Sequence, residues 1–306
     1  MENIFNNPIL PAGDPFVLLY EGKYYLYYTM ENDEPWQNTG SFHTDVDGED
    51  GIRCWVSDDL INWEFKGFCL RREDVMGEKW FWAPEVTYFN GKFYMIYLAD
   101  EHMGMAVADS PLGPFVQEEK KWMCEDRCLD GHILLDDDGK KWFYYVRLCG
   151  KAGGGNRIFV APMADDLSSV DFEKETFLVQ AEEEWETHDG LVTEGPFVLK
   201  HKGLYYLTYS ANHTRSPYYC IGCAVSERPT GPFRKYDGPI LEKSDKVFGA
   251  GHHSFTTTKD GKGLICAYHC HRGEGVMKPR MFCLDKAEFV ETASGEDKLV
   301  IHGPTR

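Results

Sequence analysis

The sequence has no long apolar run. No stretch of its 306 residues approaches the ~18 consecutive apolar side chains of a membrane-spanning helix, so no membrane partner is expected. Cations are also scarce. The 32 Lys and Arg face 50 Asp and Glu, and a net charge of −18 would repel the phosphates of a nucleic acid. The opening segment MENIFNNPIL carries neither the basic region nor the apolar stretch of a secretory signal, so a cytoplasmic location is expected. Low-complexity linkers and convincing amphipathic helices are missing too. The best helical candidate, Val179 to Glu186, is short and acidic, and a single domain over residues 1–306 is expected. Cysteine is not scarce, but most of the ten sit inside apolar strands, as at Cys54, Cys69, Cys149, Cys266 and Cys283. Cys220 and Cys223 have CxxC spacing without a second pair, which fits packed thiols better than zinc or redox chemistry.

What is present is a repeated phrase: a Gly, one or two polar residues, then an aromatic strand. It reads EGKYYLYYT from Glu21, NGKFYMIYL from Asn90, DGKKWFYYV from Asp138, KGLYYLTYS from Lys202 and DGKGLICAY from Asp260. The repeat glycines, Gly22, Gly91, Gly139, Gly203 and Gly261, are 69, 48, 64 and 58 residues apart. Those intervals approach a propeller blade of roughly 40–50 residues with insertions. A second phrase, a Ser/Asp/Pro turn after an apolar strand, follows in most blades: SDDLINWEFKG from Ser57, ADSPLGPFVQ from Ala108, MADDLSSVDFEK from Met163 and SERPTGPFRKY from Ser226. The expected fold is therefore all-β, a five-bladed β-propeller with four antiparallel strands per blade. Within a repeat, Tyr25, Tyr27 and Thr29 share one strand face and Tyr24, Leu26 and Tyr28 the other. The irregular stretch Glu31 to Gly51 is either a solvated loop or a wall beside the axial pocket.

Three acids stand at matched places. Asp14 lies eight residues before Gly22, Asp130 nine before Gly139, and Glu194 nine before Gly203. Equal placement in radial blades would aim all three at one end of the axis. Such acids often only cap turns. Three of them, each entering an apolar strand, point instead to glycoside hydrolysis. That reaction needs one protonated carboxyl to assist the leaving oxygen and one ionised carboxyl to activate water. A third carboxylate nearby would raise the pKa of the acid by like-charge repulsion.

The phrases GDPFV with GKYYLYYT, WAPEV at Trp82 to Val86, LDGHILLDDDG from Leu129, EGPFV with YYLTYSA, and GHHSF from Gly251 resemble glycoside hydrolase family 43. The resemblance keeps the motif order over nearly the whole chain. It implies a five-bladed propeller that inverts the anomeric centre, with Asp14 as general base, Asp130 as pKa modulator and orienter, and Glu194 as general acid. It also implies an α-L-arabinofuranosidase, a β-D-xylosidase or an arabinan-cutting enzyme. One departure is Gly131, where the family often has Pro.

His252, nine residues before Gly261, should point at the same axis. The resemblance places this His near a hydrated Ca2+ or other ion. A His ordering water among the acids without a metal is the alternative, since calcium prefers 6–8 oxygen ligands. His269 and His271 share a strand face and are read as pocket residues that bond sugar hydroxyls. Arg280 resembles the family's late Arg at the innermost sugar. Trp82 and Phe81 are the candidate stacking rings, with core packing as the other reading. Glu85 is three residues out of phase with the acids and ranks below them. A non-catalytic carbohydrate-binding propeller would be expected to lack one of the acids, and a phosphorylase would need a basic cluster beyond Arg272 and Arg280. The expected protein is an exo-acting glycosidase that releases a terminal pentose from a short oligosaccharide.

Overall fold

The computed structural model describes residues 5–30, 51–150, 154–293 and 295–306. The proposed wall at residues 31–50 thus lies outside the described residues. Five antiparallel sheets form the blades of a propeller. Their innermost strands are Gly13–Tyr20, Trp82–Phe89, Cys128–Leu135, Thr193–His201 and Gly251–Thr257. Each repeated aromatic phrase is the second strand of its blade: Lys23–Thr29, Lys92–Ala99, Lys141–Leu148, Leu204–Ala211 and Leu264–Cys270. Among the described residues helix is confined to short 3-10 turns, and the candidate helix near Val179 is a strand, Thr176–Gln180, followed by one such turn.

The turn chemistry explains the hairpins. Glu21–Gly22, Asn90–Gly91 and Lys202–Gly203 have both φ values positive, between +47° and +82°. That is the two-residue type I′ turn, whose twist matches the flanking strands. Blades three and five use longer turns, closed by Gly139 N–H to Asp136 O and Gly261 N–H to Thr258 O.

Both faces of each second strand are buried because a blade is sandwiched between two others. Tyr25 and Tyr27 pack with Val86, Phe93 and Phe115 of blade two, whereas Tyr24, Leu26 and Tyr28 pack with Ile265, Ala267 and Leu284 of blade five. The two faces separated by strand alternation are thus the two inter-blade interfaces. The proline turns of the second phrase join them: Tyr27 donates its hydroxyl to Pro111 O at 2.5 Å and Tyr144 to Pro229 O at 2.8 Å.

Four strands per blade holds for blades one, three and four. Blade two has three strands, and its fourth position is reduced to a single bridge between Val107 and Val116. In blade five the outer edge of Met281–Val290 is shared by two segments, Leu10–Pro11 and Lys298–Ile301. Strand pairing between early and late chain therefore closes the ring.

Candidate active site

Every inner strand carries a register shift near its axial end. At each shift one residue is left-handed: Asp14 (φ +46°), Ala83 (+43°), Asp130 (+52°), Gly195 (+55°) and His252 (+47°). A non-glycine residue there costs roughly 1–2 kcal/mol. Hydrogen bonds to the preceding blade, each worth about 1 kcal/mol net, offset much of that cost. Ala83 N–H donates to Thr29 Oγ1 (2.9 Å), His252 N–H to Ser210 Oγ (2.8 Å) and Asp14 N–H to His269 Nδ1 (3.2 Å). Thr29, Ser210 and His269 all sit opposite the residue before their own blade's bulge. In blade three that place is taken by Val146, which has no acceptor, and the Asp130 carboxylate itself receives Gly195 N–H at 2.9 Å.

These bulges correct the equivalence expected from counting. Asp14 and Asp130 occupy bulge positions, but the bulge residue of blade four is Gly195 and Glu194 precedes it. The long turn of blade three adds one residue to the count, and blade four has the short turn. Nine residues therefore mean different things in the two blades. In blade two the equivalent of Asp14 is Ala83, not Glu85. The Glu85 carboxylate faces another layer and accepts from Ile133 N–H (3.1 Å) while meeting His132 Nδ1 (2.9 Å).

All five blades contribute to one cavity of about 750 Å³, which includes Asp14, Asp130, Glu194, His252, Trp82, His271 and Arg280 in its walls. Two expected pocket residues are not among them. Phe81 is fully buried (0% exposed) and stacks on Tyr97 at 5.9 Å, because the residue beside an axis-facing Trp82 points into the core between blades one and two. His269 is likewise 0% exposed and stands behind Asp14, sandwiched between the rings of Tyr219 (5.6 Å) and His252 (6.1 Å). Its Nδ1 accepts the Asp14 N–H, so the imidazole is neutral with its proton on Nε2, near Thr214 Oγ1. Burial, with Arg280 nearby, holds its pKa well below the ordinary histidine value. His271 lines the cavity but spends Nε2 on the Thr214 carbonyl at 2.8 Å. Gly131 also has a reason: a Cβ there would lie 2.4 Å from the Phe143 ring.

The environments of the acids differ sharply. Burial pushes the Asp14 carboxyl up, but the Arg280 guanidinium and His252 outweigh it and hold it well below the usual carboxylate range. Arg280 Nη1 donates to Asp14 Oδ1 at 2.6 Å and Thr29 Oγ1 to Oδ2 at 2.7 Å. Gly13 makes room for this contact, since a Cβ there would fall 2.2 Å from the guanidinium. Among the described residues Glu194 has no guanidinium partner of that kind. Burial, then the charge of Asp130, raises its pKa to about 7. Asp130 is itself raised, by burial and by Asp14, against the pull of His252. His252 loses charge to burial but is raised overall by the three acids, and its Nδ1 lies 3.3 Å from Asp14 Oδ1.

Among the described residues no set of three or more His, Cys, Asp or Glu side chains is arranged to hold a metal ion. The Asp14 oxygens are engaged by Arg280 and Thr29, and Asp130 Oδ2 by Gly195. These groups do not form the oxygen cage that calcium prefers.

Counting along the sequence missed several residues of the site. Tyr219 donates its hydroxyl to Glu194 Oε1 at 2.7 Å, and nothing in SPYYCIGC signals it. Thr29 closes the repeated phrase, and the repeat could have flagged it. Two ion pairs stand in the cavity wall: Arg127 with Glu101, and Arg215 with Asp189 at 3.9 Å.

A carboxylate held ionised and a carboxyl with its pKa raised to about 7, lining one cavity, are the pairing that glycoside hydrolysis requires. The sequence profile of Glycosyl hydrolases family 43 matches residues 5–293, and the chain belongs to that family. A solved structure named endo-1,4-β-xylanase from Bacteroides thetaiotaomicron is 36% identical, with a TM-score of 0.84 over 97% of this chain and 96% of that one. A thermostable family-43 glycoside hydrolase is 37% identical, with a TM-score of 0.84 over 99% and 97% of the two chains. The xylosidase/arabinosidase 43A of Humicola insolens is 26% identical over 87% of this chain and 90% of its own.

Arg280 offers a direct test of what keeps Asp14 ionised. Arg280→Met removes the strongest influence keeping Asp14 ionised, while burial, which favours the neutral acid, remains. The carboxyl pKa should rise. The acid limb of kcat/KM should therefore move to higher pH by about 1–3 units. A pH profile of kcat/KM for the two proteins measures this, and an unmoved acid limb would separate Arg280 from the ionisation of Asp14.

Proposed function

We propose that the chain is an inverting, exo-acting glycosidase that releases a terminal pentose from short plant-derived oligosaccharides, as an α-L-arabinofuranosidase. The observation that carries the proposal is the divergence of two carboxyl groups in one cavity. Asp14 is held ionised by Arg280 and His252, and burial and Asp130 raise the pKa of Glu194 to about 7. Water on the Asp14 side attacks the anomeric carbon and passes a proton to that carboxylate. The bond to the departing oxygen breaks as Glu194 gives that oxygen its proton. The new C–O bond forms on the opposite face, so configuration inverts. Asp130 touches neither transferred proton. It fixes the backbone beside Glu194 through Gly195 N–H and keeps the acid protonated by its charge. Trp82, stacked on Trp80 at 5.8 Å, supplies an apolar face for the sugar ring.

β-D-xylosidase is the second reading, favoured by the Humicola relative whose name carries both activities. The two are separated with 4-nitrophenyl α-L-arabinofuranoside and 4-nitrophenyl β-D-xyloside, and proton NMR of the first-formed sugar reports its anomer. Release from the arabinofuranoside with inversion is the expected result. Faster release from the xyloside would select the second reading. Cleavage of neither, with mid-chain cutting of polymer, would overturn exo action, and a retained anomer would overturn the mechanism.

A further inference from the structure

Hydrolysis needs the proton of Glu194 on the oxygen that meets the substrate, and a carboxyl group has two. One of them is committed: the Tyr219 hydroxyl donates to Oε1 at 2.7 Å. Among the described residues the chain offers Oε2 no hydrogen bond. We propose that Tyr219 is a positioning residue for the acid, occupying Oε1 so that the transferable proton is held on Oε2. The inference rests on Glu194 being the general acid.

Tyr219 is built to hold one orientation. Its side chain is fully buried, its N–H donates to Ser216 O at 3.1 Å, and its ring lies nearly parallel to the neutral His269 ring. Gly251 faces it without a side chain, where a Cβ would come within 2.4 Å of the ring. Burial, with Glu194 and Asp14 nearby, pushes its phenol well above the ordinary value, so it stays a neutral donor at any working pH. The groups acting on Glu194 are Asp130 and Asp14, which raise its pKa, and His252 and Tyr219, which lower it. The nearby Ser210 side chain draws the phenol's pKa down slightly against the rise from burial. A buried donor whose acceptor is a carboxyl oxygen favours the ionised form of that carboxyl, so Tyr219 also restrains the upward shift of Glu194.

The test is Tyr219→Phe, which keeps the ring stack and removes only the hydroxyl. Misplacing the proton harms substrates that need acid assistance and spares those that do not. On an oligosaccharide, whose leaving group is a basic alkoxide, kcat should fall about tenfold or more. On a 2,4-dinitrophenyl glycoside of the same sugar it should fall by about threefold or less. The alkaline limb of kcat/KM should move to higher pH, because a bond favouring the ionised acid has gone. The readout is a ratio between two substrates in one preparation, so a reduced folded fraction cancels. Equal losses on both substrates with an unmoved alkaline limb would overturn the proposal. Glu194→Gln run alongside separates the two levels. If that variant keeps wild-type rates on the oligosaccharide, the acid assignment fails and the role of Tyr219 falls with it. If it is inactive while Tyr219→Phe loses both substrates equally, only the role of Tyr219 fails.

Discussion

Asp14→Asn is expected to lower kcat about 10²- to 10⁴-fold on every aglycone, whether its leaving group is good or poor. A general base, the role proposed for Asp14, acts on water and not on the departing group, so its removal should not discriminate among aglycones. Asn has nearly the shape of Asp and can keep a contact with Thr29, but it cannot accept the proton of the attacking water. It also breaks the buried ion pair between Arg280 and Asp14 from one side. Breaking a buried pair from one side commonly costs about 3–5 kcal/mol, so a lower melting temperature should accompany the kinetic loss. Rates must therefore be taken at a temperature where circular dichroism shows the variant folded. Losses confined to poor leaving groups would assign Asp14 a role other than base.

Glu194→Gln is expected to behave in the opposite way. On an oligosaccharide the loss should again reach about 10²- to 10⁴-fold, because a basic alkoxide leaves slowly without a proton. On a dinitrophenyl glycoside, which leaves unaided, most of the activity should survive. The pH profile should change as well. With Glu194 as the proposed acid, the active form carries it protonated, so activity is expected to be full below its pKa and to fall as pH rises through about 7. Glutamine has no proton to lose, so this alkaline limb should vanish from the remaining dinitrophenyl activity. If the limb persists unchanged, another group titrates there and Glu194 is not the source of the raised pKa.

The opposite pKa directions of Asp14 and Glu194 follow from their neighbours more than from their own chemistry. Asp14 lies within hydrogen-bond reach of a guanidinium and a hydroxyl. Glu194 has one phenol and the charge of Asp130 near it. Two carboxyls of similar intrinsic acidity are thus driven apart, and that separation allows one cavity to supply an acid and a base near neutrality.

Much of the frame was legible beforehand because it is local. A strand face is read from every second residue, and a hairpin from a Gly that accepts positive φ. Five copies of one phrase therefore revealed five blades, and even the two faces of Lys23–Thr29 proved to be two different inter-blade contacts. The site was legible only in part. Asp14, Asp130, Glu194, His252, His271, Trp82 and Arg280 do converge on one cavity. Phe81 and His269 do not, since whether an aromatic faces the axis or the space between blades depends on the bulge beside it. Tyr219 was invisible because its partner, Glu194, is 25 residues away and belongs to another strand of the sheet.

The amino-acid order by itself determined how many blades form, where each strand turns and which stretches carry acids toward the axis, because alternation and turn preference act within a few residues. Folding in three dimensions decided the rest. A one-residue bulge moves a side chain to the other face of its strand, and closure of the ring sets which blades face each other. Those two long-range events place Glu194 one step before the bulge, bring Arg280 from near the end of the chain onto Asp14, and set the Tyr219 hydroxyl on the oxygen it holds.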